Sequence, residues 1–261
     1  MDIFHAIILG LVEGVTEFLP ISSTGHMVVA SSLLGIGENS FVKSFEIIIQ
    51  LGAIAAAIVF YAKRLLVDRE MMQKVIFAFI PTATIGYLFY KILKEYLLGN
   101  VLIVLVSLFI GGIILIAVEV YLRNTRAALI ETDKEISYMD ALTIGCVQAL
   151  AIIPGVSRSG ATIVGGLLLG ISREKIVEFS FMLAIPTMLA ASALDILKNY
   201  QIILAGNLTT LSIGFITAFI SALVVIRLFI AFISRFSFVW FGVYRIILAM
   251  VIYLFFFHPI I

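Results

Sequence analysis

The chain contains, inside an otherwise apolar segment, the run Pro20-Ile21-Ser22-Ser23-Thr24-Gly25-His26. A second apolar segment is interrupted in the same way by Pro154-Gly155-Val156-Ser157-Arg158-Ser159-Gly160. Pro and Gly break a helix, and each apolar arm beside a break is shorter than the ~20 residues that a helix needs to cross ~30 Å of hydrocarbon. We therefore predict two re-entrant helical hairpins, at residues 3–35 and 141–171.

Six further segments are apolar and long enough to cross a bilayer. Their approximate bounds are 45–62, 75–93, 101–122, 176–195, 208–233 and 237–257. The composition agrees, because 62% of the residues are hydrophobic and 13% are charged, which is too little charge to cover a soluble protein of this size. We predict an all-α polytopic membrane protein with six transmembrane helices and two re-entrant hairpins. The net charge of +1 argues against nucleic-acid binding.

The order of hairpin and three spans occurs twice, which indicates an internal repeat. When the two halves of the sequence are compared at an offset of 135 residues, Ser22 matches Ser157. At an offset of 134 residues, Phe45 matches Phe179. Three crossings are an odd number, so the second copy enters from the opposite face, and we predict an inverted-topology repeat. The predicted units are 1–122 for the first repeat, 123–140 for a linker and 141–261 for the second repeat.

Basic residues gather in the loops on one side of this topology. With the N-terminus outside, the inner loops hold Lys63, Arg64, Arg69, Lys74, Arg123, Arg126, Lys134, Arg173, Lys175, Arg227 and Arg235. The outer loops hold Lys43, Lys91, Lys94 and Lys198. Because loops rich in Lys and Arg remain in the cytoplasm, both termini are predicted outside and the linker is predicted inside.

Two acids lie in the apolar first arm of the first hairpin. Glu13 and Glu17 are one helical turn apart, so both carboxylates project from one face. An ionisable group within a membrane is by default a candidate for function. Two buried carboxylates are tolerated if a divalent cation binds between them or an Arg pairs with them. The alternative is a solvated pair at the water interface.

The two interrupted regions also concentrate polar side chains. The first holds Ser22, Ser23, Thr24 and His26, and the second holds Ser157, Arg158, Ser159 and Thr162. Any one hydroxyl has the alternative role of a helix N-cap. Capping does not explain Arg158, whose guanidinium matches a phosphate. Together with the acids, these groups indicate phosphoryl transfer on a membrane substrate.

The chain closely resembles the bacterial undecaprenyl-diphosphate phosphatase family, also called bacitracin-resistance proteins, over essentially its whole length. The resemblance is carried by Glu13-Gly14-Val15-Thr16-Glu17-Phe18-Leu19-Pro20-Ile21-Ser22-Ser23-Thr24-Gly25-His26 and by Pro154-Gly155-Val156-Ser157-Arg158-Ser159-Gly160-Ala161-Thr162. It implies a multi-pass enzyme of the bacterial plasma membrane that removes the terminal phosphate of undecaprenyl diphosphate. The product is the carrier lipid for peptidoglycan synthesis, and the activity confers bacitracin resistance. The resemblance also implies a periplasm-facing site and a divalent cation, Mg²⁺ or Ca²⁺.

The resemblance also implies roles for single residues. Glu13 and Glu17 are the acidic pair, with Glu17 the stronger candidate for binding metal and diphosphate. Ser23 is the candidate nucleophile, and His26 is its base or the acid for the leaving group. Arg158 is expected to be catalytic together with Ser23, His26 and Glu17, by clamping the diphosphate. Metal binding is expected from Glu17 and Glu13. Substrate binding is expected from Ser22, Thr24, Glu13, Ser157, Ser159 and Thr162. A phospho-Ser23 intermediate, water activated by His26 and a nucleophilic His26 are left as alternatives.

A competing function is a secondary transporter or a flippase for lipid phosphates, because inverted repeats with broken helices are typical of transporters. The collected acids, hydroxyls, His and Arg favour the phosphatase, whose partners are a polyprenyl diphosphate and the bilayer. The sequence leaves the oligomeric state open, with a homodimer as one candidate.

Other polar residues within the spans have structural expectations. Arg245 is expected to pair with an acid such as Glu119 or Asp195. Glu46 and Glu178 are expected to stabilise helix N-termini, with support of the residues that form the site as the alternative. Gln50 and Gln148 are expected to form hydrogen bonds between helices.

Overall fold

The computed structural model describes residues 1–37, 40–92, 100–125, 134–205, 207–233 and 236–257. The first half contains α1 (Ile3–Thr16), α2 (Ser23–Leu33), α3 (Ser40–Val67), α4 (Arg69–Ile92) and α5 (Val101–Asn124). The second half contains α6 (Tyr138–Gln148), a 3₁₀ turn (Ala149–Ile152), α7 (Arg158–Leu168), α8 (Arg173–Ala205), α9 (Leu208–Ile233) and α10 (Val239–Phe257).

Six of these helices are long and apolar enough to cross a membrane: Phe41–Val67, Arg69–Phe89, Val101–Asn124, Arg173–Gln201, Leu208–Ile233 and Val239–Phe257. Helix is the expected form, because a backbone in hydrocarbon has no water to bond and must satisfy its polar groups internally. The six predicted spans are confirmed.

Both predicted breaks are present. α1 and α2 are separated by residues 17–22, which we name the first loop, and α6 and α7 are separated by residues 149–157, which we name the second loop. The re-entrant entry of these helix pairs and the inverted repeat remain predictions. In the predicted linker 123–140, residues 126–133, which include Arg126, lie outside the described residues. Of the other basic residues used for the orientation, Lys94 and Arg235 also lie outside them.

Helices of the first half pack against helices of the second half in four main places. α3 packs against α8 and α5 packs against α10, while α1 lies on α9 and α6 lies on α4. Small residues permit the close approach. A Cβ added at Gly14 would lie 2.0 Å from the Ser221 Oγ of α9, and one added at Gly145 would lie 2.0 Å from the Ala78 carbonyl oxygen of α4.

Side-chain hydrogen bonds join the second hairpin to the spans. The Gln148 Nε2 donates to Thr82 Oγ1 at 2.9 Å and to Thr187 Oγ1 at 3.1 Å. In the other half of the bundle, the Ser192 Oγ donates to Gln50 Oε1 at 3.2 Å and joins α8 to α3. The expectation of interhelical bonds is therefore confirmed for both glutamines.

Ion pairs tie three helices together at one end of the bundle. Arg64 of α3 pairs with Glu178 of α8, and Arg173 of α8 pairs with Glu119 of α5. The helix ends that carry these arginines therefore lie on the same side, as the predicted topology requires.

The expectation that Glu46 and Glu178 stabilise helix N-termini is wrong. α3 begins at Ser40 and α8 begins at Arg173, several residues before the apolar part of each span. Glu46 consequently lies in the interior of α3, and the acid in the first turn of α8 is Glu174.

Candidate active site

The first loop turns the chain sharply between α1 and α2. Ser22 has a φ of 69°, a left-handed conformation that is uncommon for a residue other than Gly. It occupies the N-cap position of α2 but makes no capping bond with its side chain, and its buried Oγ has no hydrogen-bond partner. The capping alternative therefore does not account for Ser22. A strained, unpartnered buried hydroxyl is typical of a ligand site.

The carboxylate of Glu17 joins the two loops. Its Oε2 accepts a hydrogen bond from Ser23 Oγ at 2.5 Å, and its Oε1 lies 3.2 Å from Arg158 Nη2. Glu17 is only 7% exposed, so this charge is shielded from water and strongly attracted to the guanidinium. One carboxylate thus holds a hydroxyl from the first half and a cation from the second.

Arg158 has hydrogen-bonding capacity left over. Its Nη1 donates to the Ser180 carbonyl oxygen at 2.9 Å, and its guanidinium carbon lies 5.8 Å from the centre of the Phe18 ring. The buried Nε has no hydrogen-bond partner. An unsatisfied buried guanidinium donor is costly unless a further acceptor, such as a phosphate oxygen, binds there.

Glu13 adds a second carboxyl group one turn earlier. It is 4% exposed, and its backbone carbonyl accepts from the Glu17 N–H at 2.9 Å, which places the two side chains one helical turn apart. Glu17 and Glu46 both lie near enough to act on it electrostatically. The predicted shared face of Glu13 and Glu17 is confirmed. Two neighbouring buried carboxyl groups are tolerated if one of them is protonated or if a cation binds between them. Among the described residues, no group of three or more His, Cys, Asp and Glu side chains is arranged to hold a metal.

The hydroxyl groups of the second loop and of the first turns of α7 make hydrogen bonds that hold this region in place. Ser157 Oγ caps α7 by accepting from the Gly160 N–H at 3.0 Å. Ser159 Oγ donates to the Leu19 carbonyl oxygen at 2.8 Å, which links the second loop to the first. Thr162 Oγ1 and Ser180 Oγ are 2.6 Å apart. The capping alternative is correct for Ser157, and substrate binding by Ser157, Ser159 and Thr162 remains a prediction.

His26 lies beside the first loop without bonding to Ser23. Its Nδ1 is 2.8 Å from the Ser22 carbonyl oxygen, and its Nε2 is 2.7 Å from the Tyr244 hydroxyl. In this state the hydrogen-bond acceptor for Ser23 is therefore Glu17, whereas His26 is held by α10. Thr24 is exposed at the start of α2.

Two residues of α10 reach the site in a way that the sequence did not indicate. Tyr244 contacts His26, and Arg245 donates to four backbone carbonyls. The expectation that Arg245 pairs with an acid such as Glu119 or Asp195 is wrong. Glu119 is the partner of Arg173, and the bonds described for Arg245 all end on backbone carbonyls. The carbonyls lie on the two loops and on α5, so packing places the guanidinium at the site and away from the end of the bundle where Glu119 lies.

Comparison with known proteins identifies the family of this chain. The model of the bacitracin resistance protein BacA family matches residues 6–251. An undecaprenyl-diphosphatase of Aquifex aeolicus is 48% identical over 98% of this chain and 99% of its own length. An undecaprenyl-diphosphatase of Wolinella succinogenes is 49% identical, over 98% of each chain. One from Methanococcus aeolicus is 44% identical over 98% of this chain and 99% of its own. The chain therefore belongs to the bacitracin resistance protein BacA family.

Proposed function

We propose that this protein is an integral membrane phosphatase that hydrolyses undecaprenyl diphosphate to undecaprenyl phosphate and inorganic phosphate. The observation that carries the proposal is the Glu17 carboxylate, which bonds to Ser23 on one side and to Arg158 on the other. This arrangement offers a nucleophile, a base and an anion-binding cation within one buried site. Relatives of nearly equal length, 48–49% identical, are named undecaprenyl-diphosphatase. The activity recycles the carrier lipid for cell-wall synthesis and underlies bacitracin resistance.

Binding of the diphosphate uses the groups that lack partners. The Arg158 Nε and the Ser22 Oγ are both buried and unbonded. A diphosphate oxygen satisfies each of them and adds a second anion to the guanidinium. The prenyl tail stays in the hydrocarbon, because the outward faces of the spans are apolar.

The chemical step starts from the hydrogen bond between Ser23 and Glu17. The Ser23 Oγ attacks the terminal phosphorus while Glu17 takes its proton, the bond to the bridging oxygen breaks, and undecaprenyl phosphate leaves. Water then attacks the phosphoserine and releases inorganic phosphate. His26 has two roles open to it, protonating the leaving oxygen or activating the water, once it separates from Tyr244. Direct attack by His26 is the rival route, and it would leave phosphohistidine in place of phosphoserine.

A divalent cation fits the two carboxyl groups. Mg²⁺ or Ca²⁺ takes oxygen ligands, and Glu13 and Glu17 present two buried carboxyl groups one helical turn apart. When bound, such an ion neutralises charge that develops on the phosphoryl oxygens. A chelator should abolish phosphate release and added Mg²⁺ should restore it. Glu13→Gln should raise the cation concentration that gives half-maximal activity, and full activity in excess chelator would refute this role.

The site is proposed to open to the periplasm, with both termini outside. Support comes from the end of the bundle that carries Arg64 and Arg173, since basic residues mark the cytoplasmic side. The test uses a membrane-impermeant thiol reagent on a variant without Cys146. Asn207→Cys should label in intact cells and Val67→Cys only after permeabilisation. The reverse pattern would contradict the orientation.

Phosphate release from a C55 or shorter prenyl diphosphate in detergent tests the function itself. Ser23→Ala, Arg158→Lys and His26→Ala should lower turnover by ~10²-fold or more. Ser212→Ala and Arg227→Lys change exposed residues of the same types and should leave turnover unchanged. Lipid flipping without phosphate release would favour the flippase instead. A homodimer remains a prediction, which the mass of the solubilised protein tests.

A further inference from the structure

Arg245 is a fully buried cation in the middle of the site region. It lies on α10, is 2% exposed and is the largest of the fully buried side chains in the described residues. Removing a guanidinium from water is costly unless its donors are satisfied. A residue kept in such a place is expected to have a role there.

The hydrogen bonds of Arg245 converge on both loops. Nη1 donates to the Pro20 carbonyl oxygen of the first loop at 3.3 Å, and Nη2 donates to the Gly155 carbonyl oxygen of the second loop at 3.2 Å. The other two bonds hold α5, with Nη2 to Ser107 O at 3.0 Å and Nε to Leu108 O at 3.3 Å. All the acceptors named here are neutral carbonyls, so none of them cancels the positive charge.

The bonded positions match each other in the predicted repeat. Pro20 corresponds to Gly155, because the same sequence offset relates Ser22 to Ser157. Gly111 corresponds to Arg245 at the offset that relates Phe45 to Phe179. The counterpart of Arg245 is therefore a residue without a side chain. A Cβ at Gly111 would lie 2.2 Å from Arg245 Nη2, so the Gly makes room for one guanidinium between the halves.

The bonded carbonyls are close in sequence to the reacting groups. Pro20 is three residues from both Glu17 and Ser23, and Gly155 is three residues before Arg158. Because Arg245 holds these two carbonyls at a fixed distance, it also sets the position of the Arg158 side chain relative to the Glu17 carboxylate.

We propose that Arg245 is a positioning residue that locks the two loops together, so that Arg158 and the pair formed by Glu17 and Ser23 act on the same phosphate. This inference rests on the proposed function. Arg245 does not bond to Glu17, Ser23 or Arg158 in the contacts described, so it acts through the backbone of the loops. The uncancelled charge also raises the local attraction for a diphosphate.

The test compares Arg245→Met and Arg245→Lys with the exposed control Arg227→Met. Small displacements of catalytic groups cost about 10²-fold in rate. We expect Arg245→Met to lower kcat by about that factor and to raise the KM for the prenyl diphosphate several-fold, since Arg158 would meet the substrate in the wrong place. Arg245→Lys keeps the charge and part of the hydrogen bonding, so its kcat and KM should lie between those of the wild type and those of Arg245→Met. A purely structural role would reduce the folded fraction and lower kcat with KM unchanged, and that result would overturn the proposal.

A second pair of variants covers the case in which Arg245→Met does not fold. Gly111→Ala keeps Arg245 but takes the space of its Nη2, and it should shift kcat and KM in the same directions. Gly86→Ala is the matched control, because its Cβ would meet only Ile152 Cδ1, at 3.7 Å. Wild-type kinetics in Gly111→Ala would overturn the proposal.

Amide hydrogen exchange gives a readout that does not need the activity. Arg245→Met and Gly111→Ala should speed exchange in residues 17–25 and 152–158 and leave α3 and α8 unchanged. If the exchange rates of both loops are unchanged, the proposal that Arg245 locks the loops is refuted. If exchange in the loops is faster but the wild-type protein releases no phosphate, the locking is retained and the phosphatase function is refuted.

Discussion

The Ser23 hydroxyl donates to the Glu17 carboxylate at 2.5 Å across the break between α1 and α2. A nucleophile and its base act as a unit, so removing either one removes the same step. Ser23→Ala and Glu17→Gln should each lower kcat for prenyl diphosphate hydrolysis by about 10³-fold. The double variant should be no slower than the slower single variant. Additive losses would show that the two residues act independently and would contradict the mechanism.

The contacts of His26 predict its tautomer. The Ser22 carbonyl can only accept a hydrogen bond, so Nδ1 carries the proton, and Nε2 accepts from the Tyr244 hydroxyl. Nitrogen NMR of ring-labelled protein should give the Nδ1–H pattern for His26, assigned with His26→Gln. Tyr244→Phe should move the Nε2 signal toward that of an unbonded nitrogen. Tyr87→Phe, at an exposed residue, should not move it. A protonated Nε2 in the wild type would disprove the assignment.

Hydropathy, together with Pro and Gly, was sufficient to predict the six spans and the two breaks in the shorter helices. Both signals follow from one requirement, which is that a chain in lipid must form hydrogen bonds to its own backbone N–H and C=O groups. The shared helix face of Glu13 and Glu17 was predictable for a similar reason, because one helical turn separates them. Each of these features depends on residues that are close in sequence.

The contributions of α10 could not be predicted in this way. The bond between His26 and Tyr244 joins residues 218 positions apart, and no local pattern tells which helix packs beside the first loop. The same limit explains Arg245, for which an acidic partner was expected. Its acceptors are backbone carbonyls, which every residue carries and no side-chain pattern reveals.

The packing of α1 on α9 predicts the effect of a single methyl group. A Cβ at Gly14 would lie 2.0 Å from Ser221 Oγ and 2.5 Å from the Ala218 carbonyl oxygen. Gly14→Ala should destabilise the protein by ~1–3 kcal/mol through overpacking, and it should also reduce kcat because Gly14 lies between Glu13 and Glu17. Thermal unfolding in detergent measures the stability. The control Gly86→Ala, in the more open part of α4, should keep or raise Tm. Equal Tm values for the two variants would contradict the packing argument.

Asp140 at the start of α6 predicts a pH dependence of stability. Burial acts to raise the pKa of its carboxyl, but hydrogen bonds from the Ser137 hydroxyl and N–H and from Lys134 outweigh burial and hold the pKa below the ordinary 3.8. Because the pKa is lower in the folded protein, the ionised carboxylate stabilises the fold at a pH above the ordinary pKa. This stabilisation disappears as the pH falls through the lowered pKa of the folded protein. Asp140→Asn should therefore lower Tm at pH 7, and the difference from wild type should shrink as the pH falls below about 3.8. Glu135→Gln, at a carboxyl that is 79% exposed, should change Tm little at either pH. A difference for Asp140→Asn that stays constant down to acid pH would assign its effect to lost packing, with no contribution from the charge.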